Sequence, residues 1–193
     1  MNSTLPSRNS LAWLRLAATT AALGVGAMAF AQTTVIRDGD SSRNRTIVRT
    51  ELKSGDKAFL EKAAKFSHED VEVSRVAASR TANPEIRRFA QMLVSAHDDI
   101  HEDIGELAAA KGVNLPAKDP VSDKWVKRDG KSFDRDYIEH VVETHKDAVK
   151  AFDEQARDGH DADTVNYARK HLSKLQSHLQ QALDIQRMMK ARD

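Results

Sequence analysis

Residues Ile86–Leu107 read IRRFAQMLVSAHDDIHEDIGEL, and their apolar positions decide the fold. Ile86, Ala90, Leu93, Ile100, Ile104 and Leu107 follow one another at steps of three, four or the sum of the two. That period lays one apolar seam along an α-helix that packs against other helices. His97 falls on the same seam, between Leu93 and Ile100. An imidazole on a packing face is what a reading of function has to explain.

The signals flanking this stretch are strong. At Asn83-Pro84-Glu85, Asn caps, Pro is preset for a first turn, and Glu meets the positive end of the helix dipole. Lys111-Gly112 ends the helix with a cation and a residue suited to the left-handed conformation. Before it, a first helix is expected from Asp56 to Thr81, capped by Ser54 or Asp56. Phe59, Ala63, Phe66, Val73, Val76 and Ala77 form its apolar face, with Glu69 and Glu72 alongside. The short break between these helices predicts an antiparallel hairpin.

Pro116 and Pro120 exclude regular helix early in Val113–Ser132, and Trp125 and Val126 are placed to pin this segment. It is longer than antiparallel neighbours need, which predicts a crossover along the bundle. A third helix is expected over Phe133–Arg157, capped by Ser132. It carries Phe133, Tyr137, Val141, Ala148 and Phe152 on one side and His145 among them. After a turn at Asp158–Asp161, a fourth runs over Ala162–Lys190. Its seam is Val165, Ala168, Leu172, Leu175, Leu179 and Ala182, with His178 at the edge. The expected fold is all-α: an antiparallel four-helix bundle over 53–193, with a longer connection between helices two and three.

Composition agrees. Of 193 residues, 31% are charged, only 8 are Gly and 4 Pro, and none is Cys, so disulfides, thiolate ligands and thiol nucleophiles are excluded. Aromatics at 5% leave few stacking surfaces, and a net charge of +1 gives no polyanion-binding face, so nucleic acid is set aside.

Residues 1–31 have the parts of a secretory signal: Arg8 and Arg15, an apolar run Leu16–Phe30, and Ala29-Phe30-Ala31 before cleavage at Gln32. Export to a bacterial periplasm or beyond is the expectation. Residues 32–52 are polar and contain Arg37, Arg43, Arg45 and Arg49. They read as a disordered lead-in that, beyond solvation, offers contact to an anionic envelope polymer or membrane surface.

An ordered set of short phrases resembles a family of exported bacterial proteins known as domain of unknown function 4142. They are Glu72-Val73 with Ala77, Asn83-Pro84 with Arg88-Phe89-Ala90, Met92 and His97, Gly112 with Pro116, Gly130 with Phe133-Asp134 and Tyr137, His145, Phe152, and His178-Leu179. The resemblance spans Asp56 to Met188 and implies a ferritin-like bundle; it implies no reaction. Ala96 stands where that family usually has an acid, which removes one carboxylate neighbour from His97.

At helical rise, Glu72 lies roughly 17 Å before the first turn and His97 roughly 21 Å after it. His145 and His178 are likewise in mid-helix. Glu72, His97, His145 and His178 are therefore candidate ligands at one level, one per helix, for one transition metal ion such as Zn, Cu, Mn or Fe. The same positions also suit a hydrogen-bonded polar network, the commoner use of inward histidines. Di-iron chemistry is disfavoured, because the chain has no Glu-x-x-His and Asp98-x-x-His101 is the nearest substitute. His101 and His171 read as solvated, as does Asp98-Asp99, and Met188-Met189 reads as an ordinary apolar helix end. There is no Gly-x-Ser-x-Gly and no phosphate-cradling loop. The sequence reads as a non-enzymatic envelope or stress-associated binding module, with metal binding at the four mid-bundle residues as the alternative.

Overall fold

A computed structural model describes residues 51–128 and 130–191. The expected signal segment and nearly all of the Arg-rich lead-in lie outside the described residues. The described chain is all-α, with five helices: α1 (Ser54–Arg80), α2 (Pro84–Lys111), α3 (Asp123–Lys127), α4 (Gly130–Asp158) and α5 (Ala162–Lys190). None of these is long and apolar enough to cross a membrane.

The helix ends follow local chemistry. The Asn83 side chain accepts the Glu85 N–H, and Pro84 opens α2. Gly112 closes it at φ 69°, a conformation that a Cβ would strain. Asp161 accepts the N–H groups of Asp163 and Thr164 at the start of α5. Two expected caps are corrected. Lys53 precedes α1 with no side-chain cap, and Ser132 lies inside α4. The connection also holds a short helix, α3, which Pro116 and Pro120 do not prevent because both lie before it.

α1 packs on α2 and α4 on α5; α1 also lies beside α4, and α2 beside α5. The Phe59–Phe152 ring contact near one end and the Ser74–Tyr137 hydrogen bond toward the other show that α1 and α4 run antiparallel. The 113–128 connection runs along α1 from His68 to Arg80. His68 Nε2 donates to the Asp119 carbonyl, and Arg80 donates to the carbonyls of Trp125, Val126 and Arg128. Trp125 is buried against Phe133 and His140 and so anchors α3.

The apolar interior is divided in two. One cluster holds Val73, Leu93, Val141 and Ala182; the other holds Ala64, Ile100, Ala148 and Leu175. On every long helix a polar residue lies between these boundaries: Asp70, His97, His145 and His178, all buried. Each large aliphatic or aromatic side chain fully buried on either side contributes about 1.5–3 kcal/mol. The polar layer between them requires a separate physical account.

Candidate metal centre

The layer takes one residue from each long helix because each lies on the inward seam of its own helix. Asp70 follows Phe66 by four and precedes Val73 by three, and His97 stands between Leu93 and Ile100. His145 lies four after Val141 and three before Ala148, and His178 three after Leu175 and four before Ala182. One ring nitrogen from each of the three histidines lies within 4.8 Å of those of the other two. Their ring centroids are 5.2 Å (97–145), 5.4 Å (97–178) and 5.6 Å (145–178) apart.

His145 Nδ1 lies 3.0 Å from the Val141 carbonyl, which can only accept, so the proton belongs on Nδ1. Its Nε2 then presents a lone pair, 3.2 Å from His97 Nε2. Asp70 Oδ2 lies 3.4 Å from the same His97 nitrogen, and Asp70 Oδ1 lies 3.9 Å from His145 Nδ1. Asp70 Oδ2, His97 Nδ1 and His178 Nδ1 are buried without a hydrogen-bond partner. A buried polar atom left unpaired costs about 1–3 kcal/mol, so the layer is not self-sufficient.

Burial also sets the charges. It pushes Asp70 up to about 8, with the neighbouring Glu69 carboxylate adding to the effect. Burial, then the His178 ring, brings His145 down to about 3. Burial, then Lys174, brings His178 down to about 4. His97 is lowered by burial first, then by His145 and His178. The three imidazoles are therefore neutral near pH 7, the form in which histidine binds metals.

Edges of a tetrahedron around a metal with ligand bonds of about 2.0–2.2 Å are about 3.3–3.6 Å. The 3.2 Å and 3.4 Å separations at His97 Nε2 are close to that spacing. The hydrogen bond from His145 to Val141 is the outer partner that orients a metal-binding imidazole. The donors do not match a di-iron carboxylate site, which needs several Glu and two Glu-x-x-His pairs.

The structure brings His97, His145 and His178 together but not Glu72. Glu72 binds Arg75 at 2.9 Å, and Arg75 also reaches Asp98 at 3.1 Å, on the outer face of the α1–α2 pair. Two residues turn a helix by about 200°, so Asp70 faces inward where Glu72 cannot. Asp70 was missed, although its spacing from Phe66 and Val73 was the signal that marks it. His171 is corrected too: it is buried, pairs with Asp103 at 2.9 Å and packs on Tyr167. His101 is half-buried, with Nδ1 3.1 Å from Ser67 Oγ.

Comparison with known proteins places the fold. A DUF305 fragment from Deinococcus radiodurans superposes with a TM-score of 0.61 at 9% identity, over 70% of this chain and 97% of that one. A putative spore coat protein from Bacillus halodurans gives 0.60 at 11% identity, over 72% and 91%. The bacterioferritin-related protein of Bacteroides fragilis, described as a dodecameric thioferritin, gives 0.54 at 19% identity, over 73% and 92%. At these identities the likeness is one of fold alone. No curated protein sequence matches the chain. Residues 44–185 match the family described as Domain of unknown function (DUF4142), and the chain belongs to that family.

Proposed function

We propose that this protein is an exported, ferritin-like bundle that binds one transition metal ion in its core and is not an enzyme. The carrying observation is that three buried histidines, on three helices, bring ligand atoms within 4.8 Å of one another. Asp70 on the fourth long helix adjoins this group, with Oδ2 3.4 Å from His97 Nε2. The chain has no thiol, no Gly-x-Ser-x-Gly and no Glu-x-x-His pair, so holding the ion is the chemistry proposed. An N/N/N/O donor set suits Zn, Cu, Mn or Fe. The reading of residues 1–31 as a secretory signal supports a role in the bacterial envelope.

A second reading is supported by the His97–His145 contact of 3.2 Å: a polar core network with no ion. Metal analysis of the protein purified from the periplasm separates the two. Metal binding predicts about one ion per chain in the wild type and strong loss in His97→Ala and His145→Ala. Protein that takes up no Zn, Cu, Mn or Fe after exhaustive loading, yet loses stability in both variants, establishes the network instead.

A further inference from the structure

The three-histidine layer is closed, so an ion needs a way in. Along the outside of the α1–α4 pair runs a groove of about 180 Å³. Phe59 and Phe152 line one end, Glu69, Thr144 and Asp147 the other, and Phe66 lies between them. The Phe66 ring stands edge-on to two of the candidate ligands, with centroids 5.1 Å from His97 and 5.3 Å from His145. One half-buried side chain thus belongs both to the groove wall and to the shell around the imidazoles.

The charges differ between the two sides of the bundle. In the α1–α4 groove Lys62 and Lys65 are balanced by Glu69 and Asp147, and the side chain at its inner end is a neutral ring. The α2–α5 cleft carries Asp99, Glu102 and Asp103, but it is also lined by Lys170 and Lys174. Lys174 stands on the α2–α5 side of the layer, whereas on the α1–α4 side the side chain between the groove and the imidazoles is the uncharged Phe66 ring.

From this geometry we infer that the α1–α4 groove is the uptake route for a divalent cation, with Phe66 as the gate to the His97–His145–His178 site. The inference rests on the metal-binding reading above. A rotamer change at Phe66 opens the passage without moving a helix. The gate therefore controls how fast the ion enters and leaves, and the amount bound at saturation is independent of it.

The test is stopped-flow mixing of the chelator-stripped full-length mature chain with cobalt(II), followed by visible absorption of the bound ion. Phe66→Ala is expected to speed uptake and chelator-driven release by roughly tenfold, at unchanged stoichiometry. Phe66→Leu, a milder change that preserves the apolar wall, is expected to fall between Phe66→Ala and wild type. Circular dichroism checks that each variant is helical. Lys174→Gln serves as the control on the opposite face. Saturable cobalt binding with unchanged rates in both Phe66 variants overturns the gate. So does a larger acceleration in Lys174→Gln than in Phe66→Leu. Absence of saturable binding in the wild type overturns the metal reading itself, so the two failures are distinguishable.

Discussion

Asp70 is the one carboxyl of the polar layer, with 2% exposure and beside two neutral imidazoles, His97 and His145. Without an ion, its Oδ2 has no hydrogen-bond donor, and burial resists its ionisation. A cation at the centre reverses this by favouring the carboxylate. Asp70→Asn keeps the shape and removes the charge. Metal affinity is expected to fall by about 10–100-fold, while the chelated variant stays as stable as wild type, since burial already keeps the Asp70 carboxyl neutral and the amide has the same shape. Calorimetric titration and thermal melts in chelator measure both effects, and unchanged affinity would remove Asp70 from the coordination. The histidines of this site were legible in the sequence because each interrupts an apolar seam. The carboxylate was misread because Glu72 and Asp70 share a level on α1, and only the phase of the helix distinguishes them.

Between elements, the most connected residue is Asp56 in the first turn of α1. It accepts hydrogen bonds from the Gln155 side chain at 2.6 Å, the His160 N–H at 3.0 Å, the Asp161 N–H at 3.2 Å and Thr164 Oγ1 at 3.3 Å. It thus ties the start of α1 to the α4–α5 turn. Gly159 in that turn has no room for a side chain, since a Cβ would come within 2.4 Å of Gln155 Nε2. The sequence marked Asp56 only as a helix cap, because its real partners are about a hundred residues away. The helix signals themselves, Asn83-Pro84, Gly112 and Asp161, are local and were readable. Burial raises the Asp56 pKa, but the four hydrogen bonds outweigh it and hold the carboxyl below its ordinary 3.8. A lowered folded value means that the contribution is complete above the unfolded value of about 3.8 and is lost as pH falls through the folded value. Asp56→Ala is expected to cost about 3 kcal/mol at pH 7, and less at pH 2 to 3, where wild type has surrendered part of the same interaction. Urea unfolding at the two pH values checks this, and an undiminished difference at low pH would show that the carboxylate charge is not the cause.

At the scale of the whole molecule, two hairpins, α1–α2 and α4–α5, meet along α1–α4 and α2–α5. The length of the connection was read as a crossover, but α3 within it was not foreseeable, because five residues anchored by Trp125 carry too little periodicity. The polar layer draws on both hairpins: Asp70 and His97 in one, His145 and His178 in the other. An ion bound there joins the hairpins at the level where the apolar core is interrupted. Because the site exists only when both are docked, binding stabilises the folded state by about 2.7 kcal/mol when free metal is a hundred times Kd. For a domain of this size that is a rise in Tm of roughly 5–10 °C. The rise is expected with zinc, reversed by chelator, and absent in His178→Ala, which removes a ligand from the second hairpin. Scanning calorimetry of both proteins with and without zinc measures it. An equal rise in the variant would place the stabilising ion elsewhere on the protein, whereas no rise in either would leave the layer as a polar network in a bundle held together by its two apolar clusters.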